Sequence, residues 1–208
     1  MLIGVDFDNT IVCYDELFHK VALEQGLIPP DTPASKGVVR DYLRRGMQED
    51  LWTELQGYVY GARMPEADPF PGVMDFFRCC RQAQVTVCII SHRTRYPYRG
   101  EKHDLHQAAR DWLASHGFHD PQGIGLPTDR VHLELSNENK LTRIAAVGCS
   151  HFIDDLPEFL AAPGFPAQVC KILFDPNGLH ADCPGCQRAV SWPAVGQLLQ
   201  IGEAPRGR

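Results

Sequence analysis

The sequence lacks a long hydrophobic run. None of its apolar stretches approaches the about 20 residues that a helix needs to cross a bilayer, so a membrane-spanning protein is not expected. The opening segment, MLIGVDFDNT, also lacks the basic region of a signal peptide, because an apolar run with an acidic end stands there instead. We therefore expect a cytoplasmic protein without a membrane partner.

Basic residues are in the minority. The chain has 20 Lys and Arg against 26 Asp and Glu, which gives a net charge of -6. Proteins that bind nucleic acid usually carry a basic surface patch. The overall charge therefore argues against a nucleic-acid partner.

Internal repeats and low-complexity segments are also missing, and the composition is that of a globular protein. Hydrophobic residues make up 44% and charged residues 22% of the 208 residues. A chain of this length and composition can bury a substantial core and needs no disulfides for stability. We expect one domain of ordinary size, or a core domain with a modest insert.

The eight cysteines lie mostly in apolar segments, and we expect them to be reduced. Only Cys183 and Cys186 have the C-x-x-C spacing of a metal or redox site. Together with His180 they are three candidate ligands of a structural Zn²⁺, but the sequence offers no obvious fourth. A Pro-Gly turn that happens to carry two thiols explains the same residues.

Short apolar runs alternate with helical patterns, which is typical of an α/β fold. A clear helical face in HDLHQAARDWLASHG ends at Gly117. We expect a Rossmann-like parallel sheet whose strands end at one common edge, where ligands bind in such sheets. The runs of strand length are LIGV, VTVCII, RVHLEL, HFID and VCKILF.

The first two strands are separated by far more residues than one crossover needs. We therefore expect a small α-helical cap over residues 12–68, inserted after the first strand. Residues 1–11 and 69–200 would form the core, and 201–208 a flexible tail. Helical spacing is evident in YDELFHKVALEQG, SKGVVRDYLRR and EDLWTELQGYVYG, before three prolines in MPEADPFPG break the pattern.

Two carboxylates, Asp6 and Asp8, directly follow the first apolar run. The two-residue period of a strand aims both side chains the same way, so two negative charges become neighbours. Such a pair is unfavourable unless a cation, a shared proton or phosphate chemistry compensates for the repulsion. The stretch is therefore a candidate site.

The segment from Asp6 to Thr10 has the pattern Asp-x-Asp-x-Thr, which resembles the first motif of haloacid dehalogenase (HAD) superfamily phosphohydrolases. The other motifs of that family are matched in order. Ser91 follows the second strand, Lys140 opens the helical stretch KLTRIAAVG, and the Asp154-Asp155 pair follows HFI. The resemblance covers residues 1 to about 160 and implies a HAD-like core.

The resemblance implies that Asp6 is the nucleophile, which forms an aspartyl-phosphate, and that Asp8 is the general acid and base. The physical needs of phosphoryl transfer favour the same roles, since a strand-end carboxylate can attack phosphorus and its neighbour can move the proton. The resemblance also implies that dehalogenases lack a carboxylate at the position of Asp8. Asp8 therefore favours a phosphatase.

The same residues predict a Mg²⁺ site, because Mg²⁺ prefers oxygen ligands and keeps several waters. Asp6 and Asp154 would supply side chains. The resemblance adds the main-chain carbonyl of Asp8 and makes Asp155 a supporting or water-mediated contact. The acidic motif here is an adjacent pair with Glu158 three residues further on, so the acid that supports the metal beside Asp154 is left open.

The phosphate group would be held by Ser91 and by the ammonium group of Lys140, and Thr10 of the first motif is a further candidate. The basic loop SHRTRYPYRG adds His92 and Arg93 as substrate contacts. A solvated loop explains that segment equally well.

These features predict a Mg²⁺-dependent phosphatase that acts on a small phosphorylated metabolite, such as a sugar phosphate or a nucleotide. A phosphomutase or another phosphotransferase would carry the same motifs and differ only in keeping water from the aspartyl-phosphate. A non-catalytic protein that binds a phosphorylated metabolite is a further alternative, since a fold does not fix a function.

Overall fold

The computed structural model describes residues 1–180 and 183–202, and they form two compact units. The α/β unit contains Met1–Ile11, Pro69–His92 and the chain from Gly117 onward, and the helical unit contains Val12–Asp68 and Arg93–His116. Most of the predicted tail, residues 203–208, lies outside the described residues.

A six-stranded sheet forms the centre of the α/β unit. Its strand order is β5-β4-β1-β6-β7-β8, and every neighbouring pair is parallel. The predicted Rossmann-like α/β fold is therefore confirmed. The strands are β1 (Leu2–Val5), β4 (Thr86–His92), β5 (Val131–Glu134), β6 (His151–Asp154), β7 (Cys170–Phe174) and β8 (Cys186–Ala189). Two short strands, β2 (Val12–Cys13) and β3 (Asp68–Pro69), pair with each other.

The central strands are apolar because parallel sheets are covered on both faces. In β1, Ile3 and Val5 are fully buried, and Gly4 allows a close approach, since a Cβ there would lie 2.5 Å from the ring of Phe152. The helices of this unit are α4 (Val73–Gln82), α6 (Asn137–Val147), α7 (Pro157–Leu160) and α8 (Trp192–Leu198).

The helical unit packs its amphipathic helices around an aromatic core. The rings of Phe18 and Trp52 lie 5.1 Å apart between centroids, and Val39, Leu43 and Leu55 are buried. Its helices are α1 (Asp15–Glu24), α2 (Lys36–Arg45), α3 (Glu49–Tyr60) and α5 (Leu105–Ser115), with a short 3-10 helix at Met64–Glu66.

Residues 93–116 group with the helical unit, whereas the sequence analysis placed them in the core. The indole Nε1 of Trp112 in α5 donates to Ala67 O at 2.8 Å. Gly57 in α3 and Gly61, the residue after α3, let the loop before α5 approach closely, because a Cβ at Gly57 or Gly61 would lie within 2.6 Å of Pro97 or His103. The domain boundaries and the capping role of the helical unit stay predictions.

Cys183 and Cys186 form a disulfide, so the expectation that all cysteines are reduced is wrong for this pair. Their sulfurs are bonded to each other and are not available as ligands, so the structure supports no zinc site with His180. The remaining cysteines are free, and Cys79, Cys80, Cys88 and Cys149 are buried, as expected of core thiols.

None of the helices in the described part of the chain is both long and apolar enough to cross a membrane.

Candidate active site

The carboxyl ends of β1 and β6 place two carboxylates side by side. Val5 is in register with Ile153, and the amide of Asp6 continues the pairing by donating to Ile153 O at 2.9 Å. The next residues of the two strands, Asp6 and Asp154, therefore stand on adjacent strands that are about 4.8 Å apart. Both are buried, with 5% and 0% of their surface exposed.

Lys140 supplies the cation that these two carboxylates need. Its Nζ donates to Asp6 Oδ1 and to Asp154 Oδ2, at 2.6 Å in each case, and the residue is 3% exposed. The ammonium group also lies 4.1 Å from the ring centroid of Phe159 in α7. Lys140 therefore offsets the like-charge repulsion that the sequence predicts at this edge of the sheet.

The position of Lys140 differs from the predicted one, since it does not open α6. The helix begins at Asn137, after Ser136 accepts a hydrogen bond from Asn139 N at 3.2 Å, and Lys140 lies one turn inside it. The Ser-capped start at Ser136 is a sequence signal that would have moved the predicted helix start to the correct place.

Burial and charge shift the pKa values of the two partners in the same direction. Burial raises the pKa of Asp6 to about 7 against the opposing effect of Lys140, and the charges of Asp154 and Asp8 add to the rise. For Lys140, burial disfavours the ammonium, but the charges of Asp154 and Asp6 outweigh it and raise its pKa. Each group is thus sensitive to any further charge placed beside it.

A turn after β1 positions the remaining residues of the first motif. Asn9 adopts a left-handed conformation with φ of 56°, which Asn tolerates better than most residues. Asp8 is half-buried before this turn. Thr10 follows it, fully buried, and its Oγ1 has no hydrogen-bond partner in the described structure. Trp192 in α8, which the sequence analysis did not single out, donates from Nε1 to Thr10 O at 3.1 Å.

The end of β4 brings Ser91 and His92 to the same edge of the sheet, because β4 is the other neighbour of β1. Ser91 is 1% exposed and lies within the strand, not after it as predicted. Partial burial and the charge of Lys140 lower the pKa of His92. A neutral imidazole is therefore favoured at this position near pH 7.

Arg93 is the predicted site residue that belongs to the helical unit. Its side chain is buried, and its guanidinium donates to Leu105 O at 2.9 Å and to Tyr60 O at 2.7 Å. These bonds give Arg93 a structural task within that unit. Its role in phosphate binding stays a prediction.

The carboxylates also form the candidate metal site. Asp6, Asp154 and Asp155 each offer an oxygen, and these atoms lie within 4.8 Å of one another. It is the only such group of acidic, His or Cys side chains among residues 1–180 and 183–202. An all-oxygen donor set at a sheet edge fits Mg²⁺, which is bound through a few carboxylates and completed by water and phosphate.

No family model matches the sequence, and no curated protein matches it significantly. Solved structures do match. A haloacid dehalogenase-like protein of unknown function from Agrobacterium tumefaciens has 14% identity and a TM-score of 0.61, with 96% of this chain and 97% of that chain covered. A HAD family hydrolase from Deinococcus radiodurans, with bound phosphate and sodium, has 17% identity and a TM-score of 0.59, with 98% of each chain covered.

Another match is described as a dehalogenase, with 10% identity and a TM-score of 0.57, and 95% of this chain and 96% of that chain covered. At such low identities the likeness concerns the fold. The protein therefore has a HAD-like fold, as its sequence motifs suggested.

Proposed function

We propose that this protein is a Mg²⁺-dependent phosphatase that hydrolyses a small phosphorylated metabolite through a phosphorylated Asp6. The observation that carries the proposal is the buried cluster in which Lys140 Nζ contacts both Asp6 and Asp154 at 2.6 Å. These buried charges would add little to the stability of the fold, since burying charges costs several kcal/mol per ion. Phosphoryl transfer requires the charges.

Asp6 is the proposed nucleophile. Its Oδ1 accepts the Lys140 hydrogen bond, so Oδ2 is the oxygen we assign to the attack on phosphorus. The attack forms an O–P bond and breaks the bond from phosphorus to the ester oxygen of the substrate. The attack needs the carboxylate form of Asp6, and the Lys140 ammonium favours that form against the burial that raises the pKa of Asp6.

Asp8 is the proposed proton carrier. It protonates the departing ester oxygen and later takes a proton from the water that hydrolyses phospho-Asp6. Its half-buried position, beside the fully buried Thr10, keeps it closer to solvent than Asp6. A carboxylate that must exchange protons with water benefits from such a position.

The phosphate oxygens are assigned to Ser91, to the Lys140 ammonium and to the amides after β4. Among the described residues the Thr10 hydroxyl is buried without a partner, which supports its assignment to the phosphate, because a buried unsatisfied hydroxyl is costly. Asp6, Asp154 and Asp155 would hold Mg²⁺, with the carbonyl of Asp8 as a further ligand. Bound there, the metal would neutralise charge on the phosphate oxygens.

A dehalogenase is the second candidate, because one matching structure is described as a dehalogenase. Both chemistries use a strand-end Asp as nucleophile. Asp8 favours the phosphatase, since a dehalogenase needs no acid to expel a halide. Phosphotransfer to an acceptor other than water uses the same residues and is separated only by assay.

The test is a screen of the purified protein over sugar phosphates, nucleotides and other phosphorylated metabolites, with Mg²⁺ and with EDTA. Release of halide from 2-haloacids is measured in parallel. We expect Mg²⁺-dependent release of phosphate and none of halide. Halide release, or phosphate release that survives both EDTA and Asp6→Asn, would contradict the proposal.

Asp8→Asn distinguishes the two chemical steps. An aryl phosphate has a good leaving group and needs little protonation, so the first step should be partly spared while hydrolysis loses its base. Phospho-Asp6 should then accumulate and be detected by acid quench and mass spectrometry. Equal loss with aryl and alkyl phosphates, without a trapped intermediate, would remove Asp8 from this role.

A further inference from the structure

A cavity lies at the opposite edge of the sheet from the carboxylate cluster. Its volume is about 240 Å³, and its wall includes Thr86, the first residue of β4. Ser91 lies five residues further along the same strand, roughly 16 Å away at about 3.3 Å per residue. The arginine cavity, as we call it, is lined by Phe77, Cys80, Arg81, Gln84, Val85, Thr86, Val87, Ile124, Gly125, Leu126, Pro127 and Arg130.

The charged side chains that line this cavity are both arginines. Arg81 and Arg130 are its only ionised lining residues, and no Asp or Glu lines it. A cavity whose charged lining residues are both basic is unusual in a chain with six more acidic than basic side chains. Elsewhere in the same unit Arg143 and Arg188 each pair with a carboxylate.

Neither cavity arginine has such a partner. Within residues 1–180 and 183–202, no carboxylate lies within ion-pair distance of the Arg81 or the Arg130 guanidinium. Arg81 is fixed by another contact, because its Nη1 donates to Gly123 O at 2.6 Å. The backbone beside it is close, since a Cβ at Gly125 would lie 3.2 Å from the same Nη1. Arg81 is thus an exposed residue that is held by a main-chain atom and has no carboxylate partner among residues 1–180 and 183–202.

The remaining wall is largely apolar. Phe77, Val87, Ile124 and Leu126 are buried residues that also line the cavity. Sites of this composition bind ligands through an apolar body and a few fixed polar contacts. The volume is below the roughly 300–1,000 Å³ of sites for drug-sized ligands, so the cavity suits a small molecule.

We propose that the arginine cavity binds a small organic anion. Its carboxylate or phosphate group is held by Arg81 and Arg130, and its apolar body packs against the apolar wall that includes Phe77. The guanidinium group is suited to both anions because its planar fork makes paired hydrogen bonds to either. This binding site is separate from the carboxylate cluster. The inference does not depend on the proposed phosphatase activity.

The test uses benzoate and phenylphosphonate as probes, with the neutral benzamide as a control. Each is titrated into ¹⁵N-labelled protein in EDTA, and amide shifts give both the dissociation constant and the location. We expect both anions to bind and to shift Thr86, Val87 and Gly125, with benzamide at least tenfold weaker. The tighter of the two anions then identifies a carboxylate or a phosphate as the natural group.

Arg130→Gln and Arg81→Gln should each weaken the anion at least tenfold. Arg45→Gln is the matched control, because Arg45 also donates to a main-chain carbonyl, Asp41 O at 3.1 Å, but does not line the cavity. Arg130→Lys, which keeps the charge and loses the fork, should lie between wild type and Arg130→Gln. Equal binding of benzamide, no effect of either Gln variant, or shifts confined to Ser91 and His92 would each overturn the proposal.

Discussion

In each of two clusters in this protein a cation lies between two carboxylates, and the clusters differ in their access to water. In the α/β unit, Lys140 joins Asp6 and Asp154, and the three side chains are 3%, 7% and 0% exposed. In the helical unit, the cation is Arg63.

Arg63 pairs with Glu24, at 2.6 Å from Nη1 to Oε2, and with Glu66, which also accepts from Lys20 Nζ at 2.9 Å. The Arg63 side chain is 15% exposed, but those of its partners are 44% and 39% exposed. Water therefore solvates the carboxylates of this surface cluster, whereas it is excluded from the Lys140 cluster.

The difference in water access gives the carboxyl groups of the two clusters net pKa shifts of opposite sign, although the cation lowers the pKa in both. The Arg63 hydrogen bonds lower the pKa of Glu66 to about 2, whereas burial raises that of Asp6 to about 7. Pairing determines the direction of the pKa shift where desolvation is small, and desolvation determines it where burial is nearly complete. The surface cluster is a modest contribution to stability, and the buried one is a costly arrangement that suits a reactive site.

The largest expected effect is on catalysis. Asp6→Asn should reduce phosphatase activity to below about a hundredth of wild type, because it removes the nucleophile and a metal ligand. Glu66→Gln, the same change in the surface cluster, should leave activity unchanged. Steady-state rates on the best substrate of the screen measure both, and an Asp6→Asn enzyme with more than that residual rate would exclude Asp6 as the nucleophile.

Lys140→Met should destabilise the fold by about 3–5 kcal/mol, since it leaves two buried carboxylates without a cation. Lys171→Met is the control, because the ammonium of Lys171 also lies over a ring, 4.6 Å from the Phe165 centroid, but has no carboxylate partner in the part of the chain that the structure describes. Urea denaturation followed by circular dichroism gives both values. Equal losses would mean that the ring contact, and not the charge, makes Lys140 important.

The pH dependence of stability should have opposite signs in the two clusters. The Glu66 contribution is present above its unfolded pKa of 4.5 and is lost as the pH falls towards 2. Ionised Asp6 instead costs stability, and this cost is absent below pH 3.8 and complete above about 7.

Unfolding free energies in EDTA between about pH 2 and pH 8 test this contrast. The advantage of Asp6→Asn over wild type should grow as the pH rises. The disadvantage of Glu66→Gln should be present at pH 6 and shrink below pH 4.5. A constant Asp6→Asn difference across the range would contradict the burial argument.

Arg63→Met should have the smallest effect, about 1 kcal/mol or less, because its carboxylate partners are left in water. The loss should shrink further at 1 M salt, which screens exposed pairs. Thermal denaturation at low and high salt measures it. A loss as large as that of Lys140→Met would show that burial does not separate the two clusters.

The strands could be predicted where burial on both faces of the sheet requires a run of apolar residues. The segments for β1, β6 and β7 are apolar because both faces of the sheet are covered. Strand β8 was missed, since CQRA lies at the sheet edge with Gln187 and Arg188 exposed and carries no strand pattern.

The helix α5 shows a different limit. Its period was predicted, but an apolar face does not say which neighbour it covers, and α5 groups with the helical unit. Gly57 in α3 and Gly61 directly after it, four residues apart, are the sequence signal for that close packing.

The site residues could be predicted as a set because strand order brings carboxyl ends to one edge. The contacts among them could not. That Lys140 lies on both carboxylates depends on the exact start of α6, and the support of Thr10 by Trp192 joins positions 182 residues apart. Contacts between positions so far apart in the chain do not produce a periodic pattern in the sequence.

The bond between Trp192 and Thr10 also orders events during synthesis. Strand β1 leaves the ribosome first, but its neighbours β4 and β6 begin at residues 86 and 151, and the indole that supports the first motif arrives later still. Long-range pairing of this kind slows folding, and domains assemble as their segments emerge. Before α8 emerges, a nascent chain therefore already contains every residue of the carboxylate cluster. The loop that carries Asp8, however, still lacks the hydrogen bond that Trp192 donates to Thr10.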